Sequence, residues 1–346
     1  LTTEQKLAKL DSAATVSGLD NPKSITPNEA GDWLNQRRAD FSTFLAIGDK
    51  LEASIFHLYS GGLKTNRDVW CYNASRTSLT RNMSTLIDTY EADRKGGRRG
   101  PSATLDPTRI SWNRGLLADL ERGRPRRFDE HAMRRSLYRP FTTQHVYFDR
   151  ALNDMVYRLN DLFPTQVQGN HGFTLTGPSS HYAFGVIGTD ALPDLHLLDT
   201  GQFFARWRYE RVEAEDGMLS LDTAYDDDNE VIDGYRRIDN ITDHALTTFR
   251  TAYGDRITKD DIFFYVYGLL HSPDYRETYA ADLKKMLPRI PFVTDPWPYV
   301  EAGRRLSDLH LGYETVEPYP LVGLDDPAPT GDAAYDHFRV ERMAFA

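Results

Sequence analysis

Residues 257–293, ITKDDIFFYVYGLLHSPDYRETYAADLKKMLPRIPFV, carry the clearest structural signal in the chain. Thr258 and Asp261 have capping-box spacing, with Asp in place of the usual Glu, so a helix is expected to open there. Ile262, Phe263, Val266, Leu269 and Leu270 then recur at helical spacing and read as core. Ser272-Pro273 has the pattern of an N-cap followed by a first-turn proline, with Tyr275, Tyr279, Leu283 and Met286 continuing the stripe. Pro288, Pro291, Pro296 and Pro298 form a rigid connector to a last helix expected around Tyr299–Leu311. Upstream, Thr242 precedes a helical run of Ala245, Leu246, Phe249 and Tyr253.

The texture changes on the N-terminal side of this stretch. Short β-like runs broken by turn residues are expected at Gln144–Phe148, Phe173–Thr176, Tyr182–Ile187 and Phe203–Tyr209. Further upstream, LTTEQKLAKL starts helical, and a helix is expected from Asn28 with Trp33, Leu34, Phe41 and Phe44. Strands are expected at Ile55–Ser60 and Val69–Tyr72, joined by GGLKTNRD. Leu79, Met83, Leu86 and Tyr90 place one stripe on a helix over Ser78–Tyr90. DRKGGRRGPS reads as a surface loop, and helices are expected at Pro107–Leu120 and Asp129–Leu137. The fold class is therefore α+β, with a mixed N-terminal part (1–135), a β-rich middle (136–240) and a helical C-terminal part (241–346).

At 346 residues the chain is long enough for more than one packed unit. No run approaches the ~18 apolar residues of a membrane helix, and no signal peptide is apparent, so no membrane partner is expected. The single Cys71 fits a reducing cytoplasm. A first residue that is Leu rather than Met, and an apolar MAFA ending, suggest a segment of a longer protein. The net charge of −10 argues on average against nucleic acid. Between Arg94 and Arg139, however, thirteen basic residues face five acids, while Glu213–Asp243 holds eleven acids against Arg236 and Arg237. That asymmetry permits phosphate binding on one face; a solvated arginine-rich helix pair is the alternative.

Catalytic signatures are missing. There is no Walker-type phosphate loop, no glycine-rich strand-to-helix turn for a dinucleotide or AdoMet, and no HExxH, CxxC or GxSxG. The Asn/Asp/Ser-Pro-Pro-aromatic tetrapeptide of adenine methyltransferases is also lacking. Asp194 and His196 in DALPDLH are too few for a metal site; a structural turn is the alternative, and no metal site is expected.

Several segments together resemble the C-terminal portion of Type ISP restriction-modification enzymes. They are ITPNEAGDWLNQR (Ile25–Arg37), YSGGLKTNRDVWCYN (Tyr59–Asn73), LYRPFTTQHVYFDR (Leu137–Arg150), GFTLTG, LPDLH, FFARWRY, DNITDHAL and Ile257–Val293. They follow the family's order and span nearly the whole chain. Ala205 stands where the family pattern has proline before an aromatic-basic strand. The resemblance implies a target recognition domain that holds duplex DNA for a methyltransferase elsewhere in a longer protein. This segment would then be non-catalytic and without a cofactor, while the parent, a restriction enzyme of phage defence, would use AdoMet, ATP and Mg. Its partners would be double-stranded DNA and the parent's methyltransferase and motor domains.

Phosphate clamps are expected among Arg94, Lys95, Arg98, Arg99, Arg124, Arg126 and Arg127; a solvated loop is the alternative. Lys64, Asn66 and Arg67 are candidate base readers in a tight interstrand loop, unless Asp68 locks Arg67 internally. Period two would put Arg206 and Arg208 on one strand face, against DNA or simply solvated. Arg139 reads as a buried, paired arginine. A different class of function is an interdomain scaffold that touches DNA little. A free-standing enzyme would instead require a deep pocket of clustered titratable groups.

Overall fold

The structure is a computed structural model that describes residues 2–19, 23–178, 180–212, 231–317 and 330. The chain divides into two units, Leu1–Leu311 and Gly312–Ala346. Of the second, residues 312–317 and Thr330 are described, with the Thr315 amide closing a turn onto the Gly312 carbonyl at 2.8 Å. Residues 213–230, most of the expected acidic segment, lie outside the described residues.

In chain order, α1 (Thr3–Ala13) is followed by β1 (Leu45–Ala46), β2 (Ser60–Gly61), the single turn α2 (Asp68–Cys71), β3 (Tyr72–Asn73) and the long α3 (Arg76–Lys95). Next come α4 (Arg114–Glu121), β4 (Met133–Arg139), β5 (Thr142–Tyr147), α5 (Leu159–Leu162), β6 (Gly172–Leu175), β7 (Val186–Thr189) and β8 (Leu192–Pro193). The chain continues through β9 (Gln202–Ala205), β10 (Trp207–Arg211), β11 (Val231–Ile232) and β12 (Tyr235–Asp239). It ends in α6 (Asp243–Tyr253), α7 (Lys259–His271), α8 (Pro273–Thr278), α9 (Ala280–Leu283), β13 (Arg289–Ile290) and α10 (Trp297–Leu311). The fold is α+β, as the sequence implies.

Two four-stranded sheets, ordered β2-β9-β6-β7 and β3-β5-β4-β8, organise three hydrophobic clusters into layers. Alternation along strands assigns the faces. In β9, Phe204 joins a large cluster with α6, α7 and α10, whereas Phe203 and Ala205 point the opposite way. In β5, Val146 meets that second cluster, while Tyr147 joins a third with α3 and α4. The order through the unit is thus helices α6–α10, sheet, sheet, then α3–α4. Burial on both faces explains why GFTL and QFFA read as continuous apolar runs. The first cluster gathers residues from Phe41 to Val300, so the middle strands and the C-terminal helices share one core.

The Thr258–Asp261 capping box forms as expected, its reciprocal bonds measuring 3.0 and 3.1 Å. α7 and α10 cross so closely that a Cβ on Gly268 or Gly303 would overlap the carbonyls of Tyr299 or Phe264 respectively.

Three elements are shorter than expected: Pro107–Leu120 is helical only from Arg114, Tyr182–Ile187 is a strand only from Val186, and Ile55–Ser60 makes an isolated bridge at Phe56 before β2. Four other expectations are corrected. No α-helix follows Asn28: Asn28 caps the Asp32 amide at 2.8 Å and Asp32 binds Arg37 Nε at 2.6 Å. Such side-chain bonds compete with helix, and Trp33 and Leu34 end up exposed. Val69–Tyr72 is mostly the α2 turn, because the amides of Trp70 and Cys71 fold back on the Arg67 carbonyl. Asp129–Leu137 is a 3-10 turn and then β4, since pairing with β5 and β8 on both edges outweighs local helix preference. Phe203–Tyr209 is two strands in different sheets, broken at Arg206.

Candidate nucleic-acid interface

Helix α3 is 20 residues long, about 30 Å. Ser75 caps its start, and Leu79, Met83, Leu86 and Tyr90 are fully buried against α4 and the sheet edge. Its exposed end carries Arg94 and Lys95. Gly97, at φ 68°, lets the chain reverse, and the Arg98 amide returns to the Asp93 carbonyl at 2.9 Å. Buried Asp93 then pairs with Arg98 at 3.1 Å and takes both the amide (2.6 Å) and hydroxyl (2.8 Å) of Thr104.

The second arginine run approaches the same place from the end of α4. Asp119 pairs with Arg124 at 3.0 Å and with Arg126. Glu91 of α3 holds Arg94 at 2.7 Å and the Arg126 amide at 2.7 Å. Tyr90 hydroxyl donates to the Arg124 carbonyl at 2.7 Å, and the Gly100 amide to Glu121 at 2.9 Å. A Cβ on Gly123 would stand 3.8 Å from Arg99 Nη2. Runs 94–99 and 122–127, far apart in sequence, therefore meet at one end of the α3–α4 layer. Four acids (Glu91, Asp93, Asp119, Glu121) stand among eight bases and hold four of them, Arg94, Arg98, Arg124 and Arg126, leaving a local positive excess. Lys95, Arg98, Arg122, Arg124 and Arg127 are exposed, Arg94, Arg99 and Arg126 partly so.

The candidate base-reading loop is built differently. Thr65 hydroxyl donates to Asp68 and receives the Arg67 amide at 3.1 Å. Asp68 takes Tyr138 hydroxyl at 3.1 Å, so its lock is on Thr65 and Tyr138 rather than on Arg67. Lys64 pairs with Asp154 at 3.2 Å. Arg67 is only 5% exposed. Asn66, at φ 54°, projects outward, and so does Val69 on α2, 85% exposed.

The Type ISP C-terminal specificity domain matches residues 54–346. The chain belongs to that family. In overall structure it is similar to the ATP-dependent Type ISP restriction-modification enzyme LlaBIII bound to DNA (TM-score 0.75, 30% identity, 93% of this chain and 20% of that one). A nuclease-deletion mutant of the Type ISP enzyme LlaGI, in complex with a DNA substrate mimic, gives TM-score 0.72 at 30% identity over 92% of this chain and 23% of that one. A DrdV–DNA complex gives 0.72 at 32% over 92% and 30%. The chain thus spans a fifth to under a third of these proteins' length. No curated protein sequence matches.

In this specificity domain Arg206 is not on an open strand face. It is 4% exposed, pairs with Asp239 at 2.8 Å and Asp260 at 3.4 Å, and lies over Trp207. Because the strand breaks there, Arg206 and Arg208 do not share a face, and Arg208 is taken up by Glu210. Arg139 is paired as expected, with Asp194 at 2.8 Å, and stacks on Tyr138, but it is part-exposed rather than buried. Asp194 also accepts the His196 amide at 2.9 Å. Burial pushes its carboxyl above the usual carboxylate range despite those bonds. Among the described residues no group of three or more His, Cys, Asp or Glu could hold a metal, and no helix is long and apolar enough to cross a membrane. Val69, exposed by the α2 turn, is not among the candidates from sequence, and Arg109, Arg114 and Arg122, counted in the basic window but not singled out, are exposed as well.

Proposed function

We propose that this specificity domain recognises a target sequence in duplex DNA, with the arginine-rich end of the α3–α4 layer seated on the phosphate backbone. The convergence of residues 94–99 and 122–127 carries the reading: it gathers eight bases at one place, of which Arg98 and Arg124 are exposed forks braced by acids, and an ordered guanidinium loses less freedom on meeting phosphate. Lys95, Arg98, Arg99, Arg122, Arg124 and Arg127 are the phosphate contacts, with Arg94 and Arg126 behind them. Asn66 and Val69 suit base reading, an amide for adenine and an apolar group for a thymine methyl. The likeness to DNA-bound Type ISP enzymes supports the partner.

The chain itself needs no cofactor and performs no bond chemistry. Within a longer cytoplasmic protein it would present an adenine, rotated out of the helix, to an AdoMet-dependent methyltransferase, beside an ATP- and Mg-dependent motor and nuclease. An interdomain scaffold is the second reading. It is favoured by α1, none of whose described residues is buried, and by exposed Trp33 and Leu34.

The test is affinity for a duplex selected from a random pool, against a scrambled duplex, for the chain and for Arg98→Ala/Arg99→Ala. Preference for the selected duplex, with about tenfold weaker binding by the variant, is expected. Equal weak binding that ignores the substitutions would support the scaffold.

A further inference from the structure

The Arg67 guanidinium is buried, yet Nε, Nη1 and Nη2 all lack a hydrogen-bond partner. A buried charge without a partner is costly, and five unmet donors compound the cost. Burial draws the group below the usual arginine range, opposed by the field of Asp154. Asp154 is already engaged by Lys64, and Asp68 by Thr65 and Tyr138. Cys71 is itself fully buried, its thiol pushed up to about 12, so it supplies no negative charge. The loop that carries Arg67 turns through the left-handed region at Asn66 and ends on a single helical turn. Lys64 pairs by backbone with Met155, while the Arg67 amide and carbonyl bond only within the loop and its own turn, to Thr65, Trp70 and Cys71.

We infer that Arg67 is held in reserve for DNA: the Thr65–Arg67 segment turns outward on binding, and the guanidinium takes a pair of acceptors on the duplex, either phosphate oxygens or the O6/N7 edge of guanine. Both offer the bidentate geometry that the guanidinium fork fits. The free domain keeps the side chain inside at an energetic cost that DNA relieves. This rests on the DNA-binding reading above and adds to it a residue that the static surface hides.

The inference requires two effects of opposite sign from one substitution. Arg67→Met, with Arg67→Leu as a second apolar filler, removes an unpaired charge and keeps most of the volume. The melting temperature of the chain is expected to hold or rise, while affinity for a duplex selected by the unchanged chain falls about tenfold. Selection from a random pool by the variant separates the two acceptors. Lost preference at one base position marks a guanine edge, and uniformly weaker binding with preferences intact marks a phosphate. A lower melting temperature for both variants would mean that Arg67 has a partner inside the fold, and the inference fails. It fails too if the variants bind as tightly as the unchanged chain. If the unchanged chain binds no duplex at all, the DNA-binding reading falls, and this inference with it.

Discussion

The two outer helical layers solve opposite problems. In the α6–α10 layer the helices meet largely through apolar surface, with Arg304 of α10 pairing with Asp260 and Asp261 of α7, and α7 and α10 approach at Gly268 and Gly303 until backbone faces backbone. In the α3–α4 layer only one helix face is apolar, and the outer end is a lattice of arginines and carboxylates. The first layer spends its residues on a single fixed packing; the second holds a surface charge in place. Partners of opposite charge are therefore sought at the α3–α4 end, where eight bases outnumber four acids.

The sharpest way to break the contrast is to crowd the tight crossing. Gly303→Ala or Gly268→Ala puts a methyl into a backbone carbonyl across the interface, with no flexible side chain to give way. Overpacking a core costs about 1–3 kcal/mol and sometimes more, and here a loss of at least ~3 kcal/mol is expected in chemical denaturation. A loss under ~1 kcal/mol would mean the helices separate easily, and the layers would not differ as described.

The charged layer is expected to be less sensitive. Asp119→Ala leaves Arg126 without its carboxylate; since Arg124 is largely solvated and screened, the cost is about 2 kcal/mol by the same measurement. A neutral result would show that the lattice adds charge without order.

These layers also differ in how far the sequence discloses them. Capping at Thr258, the Ile262–Leu270 stripe and the Leu79–Tyr90 stripe are local signals, and the helices stand where those signals put them. Strand β4 was not legible, because MRRSLYR becomes a strand through pairing with β5 and β8, partners fixed only by tertiary structure. The same holds for the site. An arginine count marks 94–139 as basic, but nothing in it says that Arg99 lies beside Gly123, or that Arg206 is sealed by Asp239 and Asp260 while Arg122 stays open.

A smaller effect sharpens the contrast by pH. His310 Nδ1 faces two donors, the Tyr267 hydroxyl and, at 3.4 Å, the Gly188 amide, so it must accept and the proton belongs on Nε2. Burial, with His271 nearby, holds its pKa below the ordinary 6.5; His171 and His271 are lowered by burial as well. Between the folded and unfolded values the unfolded chain binds more protons. Stability from these groups is therefore full above pH ~6.5 and lost as pH falls through that value toward the folded ones. His310→Asn keeps an acceptor without the titration, and a shallower decline of melting temperature below pH ~6.5 is expected. An unchanged pH profile would remove His310 from that role. The smallest effect belongs to Val69→Ala, which should leave stability within ~0.5 kcal/mol; a larger loss would show Val69 packed rather than presented.

The most direct measurement is the salt dependence of duplex binding by the chain and by Arg122→Ala/Arg127→Ala. Both arginines are exposed and neither forms an ion pair among the described residues, so their removal should leave folding intact. Each phosphate contact contributes roughly one to the slope of log affinity against log salt. The double variant should therefore show a slope shallower by about two, with unchanged sequence preference. Identical slopes would place the duplex away from the α3–α4 end.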